Sequence, residues 1–406
     1  MSRPLPAPRE DFPVLSQRVN GRPLAYLDSA ATAQKPACVI DAVADFYRHD
    51  NANIHRAVYG LGERATARYE GARERVASFL NAREAREVVF VRGATEGINL
   101  VASCLSASLR PGDEVLITAL EHHANIVPWQ LACARSGAAL RVLPMTPSCD
   151  LDLSALDDLL TPRTRLFAFS QLSNALGTVN PAPLLCARAR AVGALTLVDG
   201  AQATAHGPTD VQALGCDFYV FSGHKLYGPT GVGVLYGRAE VLEALPPYQG
   251  GGDMIEEVRF EGTTFAGLPS RFEAGTPHIC GAVGLGVALD YLREFDLARV
   301  EAHEAALLAA LEGGLRALPG VQVMGAPAAR ASAVSFVLEG AHPHDVGVLL
   351  DQHGVAVRVG HHCAQPVMRH LGVSATVRAS VGLYTSREDV AQLLEALPRV
   401  RRMLVD

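Results

Sequence analysis

Between about residues 87 and 236, short apolar runs alternate with longer stretches whose apolar residues recur at helical spacing. The runs at 87–91, 114–118, 139–144, 165–170, 194–198, 217–221 and 232–236 predict seven strands. Strands alternating with helices in this way predict an α/β domain built on a mainly parallel sheet. Residues 250–275 break the pattern. Gly250, Gly251 and Gly252 lead into two extended-looking runs around 259–264 and 271–273, which suggests an irregular loop or hairpin leaving the sheet. Over 297–318, Leu297, Val300, Leu307, Leu308, Leu311, Leu315 and Leu318 fall on one helical face. After Pro319-Gly320 a smaller α/β unit is expected, with strands near 321–324, 333–338, 355–359 and 376–381. Its last helix carries Val390, Leu393, Leu394 and Leu397 on one side. The expected division is an N-terminal arm (1–25), a large domain (26–295) and a small C-terminal domain (296–406).

Composition narrows the class. With 406 residues, 49% hydrophobic and 19% charged, the chain has ordinary globular usage and enough length to bury a large core. A formal net charge of -6 argues against a basic nucleic-acid-binding surface. The first residues lack the apolar region of a secretory signal, and the best apolar run, 279–289, is too short and too rich in glycine to span a bilayer. Eight scattered cysteines form no C-x-x-C pair, so neither a disulfide framework nor a cysteine-based zinc site is expected. Most should be buried small hydrophobes, and a reducing cytoplasm is the expected location.

Ligands of open parallel α/β sheets bind beyond the carboxyl ends of the strands. Here those positions hold Arg92-Gly93-Ala94-Thr95-Glu96-Gly97, Glu121-His122-His123, Ser173-Asn174, Asp199-Gly200-Ala201-Gln202 and Ser222-Gly223-His224-Lys225. Each has an ordinary reading alone: a helix cap, a turn acid, a surface lysine. Delivered together to one sheet edge, they suit pyridoxal phosphate (PLP), which needs a lysine for its Schiff base and an acid facing its pyridinium nitrogen. Lys225 and Asp199 fit those roles. His122 can lie over the ring and pass protons, and Gln202 can meet the ring oxygen. Thr95, Ser222 and His224 can hold the phosphate at a helix N-terminus.

The segment Ser222-Gly223-His224-Lys225-Leu226-Tyr227-Gly228-Pro229-Thr230-Gly231 resembles the lysine motif of the class V aminotransferase superfamily. Leu197-Val198-Asp199-Gly200-Ala201-Gln202 resembles its aspartate motif, and Glu121-His122-His123-Ala124-Asn125 its ring-stacking motif. Arg358-Val359-Gly360-His361-His362-Cys363-Ala364 is similar to the active-cysteine motif of the Suf-type (group II) cysteine desulfurases. The similarity runs from about residue 12 to the C-terminus. It implies the type I PLP-dependent transferase fold, like aspartate aminotransferase, with a seven-stranded sheet in the large domain. It also implies a homodimer in which Thr276 reaches the phosphate of the other subunit. Further implied roles are Asn174 beside the ring oxygen and substrate, Arg378 as the clamp on the substrate carboxylate, and His55 and Arg358 lining the pocket. His123 stays open as an alternative to His122 for the ring.

The implied reaction converts L-cysteine to L-alanine and leaves a persulfide on Cys363, to be passed to a Suf acceptor protein for iron–sulfur cluster assembly. Lys225 moves the Cα proton and Cys363 attacks sulfur as a thiolate, the form that positive neighbours favour. Selenocysteine lyase chemistry and an aminotransferase that ignores Cys363 are the rival enzyme readings; a scaffold without catalysis would have lost Lys225 or Asp199. No metal is expected, because His361-His362-Cys363 lacks familiar zinc spacing. His342 and His344 are read as the start of a helix or as a contact for a sulfur-accepting partner.

Overall fold

The computed structural model describes residues 3–405; Met1 and Ser2 of the expected arm and Asp406 of the expected C-terminal domain lie outside the described residues. The seven apolar runs form β1 (Val88–Val91), β2 (Glu114–Thr118), β3 (Ala139–Leu143), β4 (Thr164–Ser170), β5 (Leu195–Asp199), β6 (Phe218–Ser222) and β7 (Gly233–Gly237). They make one sheet in the order β1-β7-β6-β5-β4-β2-β3. Only β7 runs against its neighbours; the pairs from β6 through β3 are parallel. Apart from the edge strand β3 the strands are buried almost throughout, which explains why they read as near-continuous apolar runs rather than alternating ones.

One face of the sheet is covered by the helix Ala94–Ser106, whose Ile98, Val101 and Leu105 are buried. The other is covered by the helices Gly60–Leu80 and Ile279–Arg293. These two approach so closely that a Cβ on Gly286 would lie 3.1 Å from the Ala72 methyl. The apolar run noted at 279–289 is thus a core helix, buried on nearly all sides. Among the described residues no helix is long and apolar enough to cross a membrane.

The helix Leu297–Ala317 begins where Asp296 accepts from the N–H groups of Ala298 and Arg299, and it buries the expected leucine face. It packs on a second sheet of β8 (Val321–Val323), β9 (Ala333–Leu338), β10 (Arg358–Gly360) and β11 (Thr376–Ser380), ordered β8-β9-β11-β10 and antiparallel throughout. The last helix, Arg387–Leu404, starts in a capping box between Ser386 and Asp389.

Three details differ from the pattern-based expectation. The run at 355–359 is two strands, because Val355–Ala356 pairs in parallel with Ala25–Tyr26 while β10 pairs with β11. Ala25 and Leu27 consequently lie in the core of the C-terminal layer. The hairpin is shifted: Ile255–Arg259 pairs with Gly262–Phe265, and the expected extended run at 271–273 falls on a helical turn, Ser270–Phe272, closed from Phe272 N–H to Pro269 and anchored by the buried Phe272 ring. Of the cysteines, six are buried, Cys38 is exposed and Cys363 is half-buried.

Candidate cofactor and thiol site

The sheet topology sends the ends of β1, β2, β4, β5 and β6 to one edge. After β1 the chain passes through Gly93 at φ 157°, ψ 176°, a conformation only glycine adopts readily. A Cβ there would also sit 3.1 Å from Ser222 Oγ. That oxygen accepts from Ala94 N–H at 2.9 Å, so the end of β6 holds the first turn of the helix Ala94–Ser106. Free N–H groups and the helix dipole make such a turn an anion site.

A cavity opens at this edge. Thr95 comes to it from the helix start, His122 from beyond β2, and Asn174 from beyond β4. Asp199 and Gln202 follow β5, and Ser222, His224 and Lys225 follow β6. The C-terminal layer closes the cavity with Arg358, Arg378 and Cys363. The two layers are joined at the site itself: His123 N–H donates to the Cys363 carbonyl at 2.7 Å, Asn174 Nδ2 donates to the His362 carbonyl at 2.6 Å, and Arg378 Nη1 donates to the Asn174 carbonyl at 2.7 Å. His362 and Cys363 have φ of 52° and 53°, a left-handed conformation costly for residues with a Cβ. The surrounding contacts hold the thiol loop there.

Burial and charge tune the groups in the cavity. Burial lowers Lys225 to about 8; Asp199 opposes the shift, while Arg378 and Arg358 add to it. Asp199 is raised by burial, against the Ala201 N–H that donates to its Oδ1 at 2.9 Å and the charge of Lys225. His122 falls to about 4, through burial first and Lys225 second. Its Nδ1 accepts from Ala124 N–H at 3.0 Å, which assigns the ring proton to Nε2. His224 is also lowered, to about 4.

These residues fit PLP. Asp199 keeps Oδ2 without a hydrogen-bond donor among the described residues, as a partner for a pyridinium N–H requires. Arg378 is buried, yet its Nε has no partner although the rest of the fork is engaged. An unpaired donor in such a place marks a site for an acidic group. Lys225 supplies a primary amine held by burial well below its ordinary value.

Two expected residues are not in the cavity. His55 is exposed, has φ 67°, and pairs through Nε2 with Glu70 at 2.9 Å. It lies on the exposed segment that leads into the helix Gly60–Leu80, so within one chain it does not line the pocket as expected. Thr276 is exposed and lines a separate cleft with Arg92 and His278. Pattern reading also missed three contributors. Asp28 accepts from Arg378 Nη2 at 3.2 Å. His362 lines the cavity, donor or acceptor to Thr376 Oγ1 at 2.8 Å, with Nδ1 unpaired. Glu121 is fully buried and raised to about 7 by burial, and it accepts from Asn125 Nδ2 and Ser170 N–H behind His122. Glu121 stood inside the quoted segment Glu121-His122-His123-Ala124-Asn125, whereas Asp28 follows the short strand Ala25–Tyr26 and carried no local signal.

The fold and the donor set define a PLP enzyme of fold type I. The family model for class-V aminotransferases matches residues 25–393, and the chain belongs to that family. A relative described as a cysteine desulfurase, from Klebsiella pneumoniae (strain 342), is 54% identical over 398 residues, covering 98% of each chain. The crystal structure of the cysteine desulfurase CsdA from Escherichia coli, in an S-sulfonic acid form, superposes with a TM-score of 0.91 at 42% identity and 98% coverage of both chains. A C-DES mutant with glycine covalently linked to its PLP cofactor gives a TM-score of 0.83 at 25% identity, covering 96% of this chain and 99% of that one.

Proposed function

We propose that this protein is a PLP-dependent cysteine desulfurase that converts L-cysteine to L-alanine, with Cys363 as the residue that takes the sulfur. The observation that carries the assignment is the meeting of Lys225, Arg378 and Cys363 in one cavity, with the thiol loop hydrogen-bonded to the loop beside His122. A class-V aminotransferase working only on amino groups has no use for a thiol held there in a left-handed conformation.

The geometry supports the following roles. Thr95, Ser222 and His224, with the first turn of the helix, are placed to hold the cofactor phosphate. Asp199 is placed for the pyridine nitrogen, His122 for the ring face, and Asn174 and Gln202 for the ring-oxygen side. Bound PLP supplies a sink for the electron pair released at the substrate's Cα. Arg378, with Arg358 nearby, holds the substrate carboxylate and so fixes which bond faces Lys225. Lys225, able to shed its own proton near neutral pH, accepts the Cα proton at Nζ. The Cys363 thiolate attacks the substrate sulfur. A sulfur–sulfur bond forms as the carbon–sulfur bond breaks; the electron pair stays on carbon, where a proton completes the methyl group of alanine.

The finer reading is a Suf-type enzyme that passes its persulfide to an acceptor protein for iron–sulfur cluster assembly in the cytoplasm. The half-exposed position of Cys363 supports delivery to a protein. A homodimer would let Thr276 serve the phosphate of the other subunit and His55 its pocket. The exposed Val58 and Tyr59, which follow His55 in the chain, support such an interface. In this reading residues 26–295 hold the cofactor and 296–406 bring the nucleophile. The test is incubation of the holoenzyme with L-cysteine, measuring alanine and mapping the persulfide by mass spectrometry. The wild type should form both, and Cys363→Ala should form neither at a comparable rate. Full turnover by Cys363→Ala would sink the assignment.

A further inference from the structure

The contiguous run His361-His362-Cys363 is not where the imidazoles gather around the thiol. His362 turns into the protein, to Thr376, and its place is taken by His123 from the loop beyond β2. One donor atom each from His123, His361 and Cys363 lie within 4.8 Å of one another. The two rings stand 5.5 Å apart at 37°. Their tautomers are informative. His361 Nδ1 accepts from Cys363 N–H at 3.0 Å, and His123 Nε2 accepts from Gln365 N–H at 3.1 Å. A nitrogen that accepts carries no proton, so each ring is neutral with one lone pair facing the 363–365 segment; a metal would take that lone pair in exchange for the backbone N–H it now accepts.

We propose that His123, His361 and Cys363 bind a zinc-class cation at the mouth of the cavity, fastening the thiol loop to the stacking loop. Zinc bonds are about 2.3 Å to sulfur and about 2.0–2.1 Å to imidazole nitrogen, so a tetrahedral ion separates its donors by about 3.3–3.7 Å. Closing from within 4.8 Å to that spacing takes side-chain rotation of about 1 Å. The exposed His361 lies open to solvent, so the ion needs no buried path. Three protein donors leave the fourth position for water. On binding, the thiol gives its proton to solvent and the metal takes its place; no electron moves. Arg358 and Arg378, which line the cavity with the thiol, oppose added positive charge. The site therefore selects a cation that bonds to thiolate over magnesium or calcium. With the nucleophile occupied, desulfuration stops, a consequence that rests on the function proposed above.

Cobalt(II), the spectroscopic stand-in for zinc, tests the site directly in the PLP-loaded enzyme. One equivalent should produce the visible d–d bands of a four-coordinate ion, lost on adding zinc. Cys363→Ser should abolish the bands, and His123→Ala and His361→Ala should each weaken binding at least tenfold, with cofactor absorbance reporting that each variant is folded. In unmodified enzyme, zinc should slow iodoacetamide labelling of Cys363 at least tenfold, while magnesium does not. Bands that survive Cys363→Ser, unchanged affinity in both histidine variants, or unprotected labelling of Cys363 would each overturn the proposal. If zinc protects Cys363 and desulfuration continues unchanged, the metal site stands and the nucleophile assignment falls.

Discussion

Arg378 donates through Nη2 to Asp28 Oδ1 at 3.2 Å, and this contact ties the buried cation of β11 to the turn that follows the strand Ala25–Tyr26. The arginine is buried, so it stands where a counter-charge matters; burial lowers Arg378 and raises Asp28, and each holds the other charged. Asp28→Ala should destabilise the protein by about 2–3 kcal/mol, because the buried cation loses a charged hydrogen bond. Urea unfolding of wild type and variant gives the comparison. Arg378→Lys keeps the charge but loses the fork, and should raise KM for cysteine about tenfold with a smaller effect on kcat.

Lys225→Ala removes the amine that the proposed function assigns to the Cα proton. Turnover of cysteine should fall by roughly 10²–10⁴-fold. PLP should leave the variant on dialysis where it stays with the wild type, as read from absorbance after gel filtration.

His362 is held well below the usual histidine range, at about 3, by burial first and Arg378 second. The folded protein thus refuses a proton that the unfolded chain takes up near pH 6.5. Its contribution to stability is present above that pH and is lost as pH falls toward 3. His362→Asn should therefore lose less stability than the wild type between pH 6.5 and 4, measured by urea midpoints at matched ionic strength. A steeper loss in the variant would contradict the burial argument. Glu121, raised to about 7, contributes with the opposite sign over pH 4.5–7 in both proteins and cancels in the difference.

Cys363 at φ 53° carries the cost of a side chain in left-handed space. Cys363→Gly should be more stable than Cys363→Ala by about 1 kcal/mol, since glycine adopts that conformation freely. Thermal unfolding of the two variants checks it. Equal stabilities would mean that neighbours, rather than the backbone, set the energy of the loop.

The large sheet was legible because both of its faces are covered: strands such as Phe218–Ser222 have to be apolar throughout and stand out from the helices between them. The polar groups at strand ends were legible for a topological reason, since parallel strands deliver their carboxyl ends to one edge. Pairing was less visible. Nothing in residues 355–359 signals that two residues join Ala25–Tyr26 and the next join β11, because partner choice depends on the far end of the chain. The hairpin was misplaced since Ile255–Arg259 is mostly exposed and so lacks the apolar alternation that marks a half-buried strand. His123 was read only as an alternative to His122 on the ring; its nearness to His361 arises from the meeting of two layers, and no local pattern encodes that.

The strand Ala25–Tyr26 is made early and its partner Val355–Ala356 late. On the ribosome, therefore, the seven-stranded sheet can assemble around its lysine and aspartate while the amino-terminal segment still waits unpaired. The thiol-bearing layer is completed only as translation ends. Newly made protein would complete the sheet edge that carries Lys225 and Asp199 before the Cys363 thiol is aligned with it, and a chain truncated before residue 355 would lack both that thiol and the mate for its own beginning.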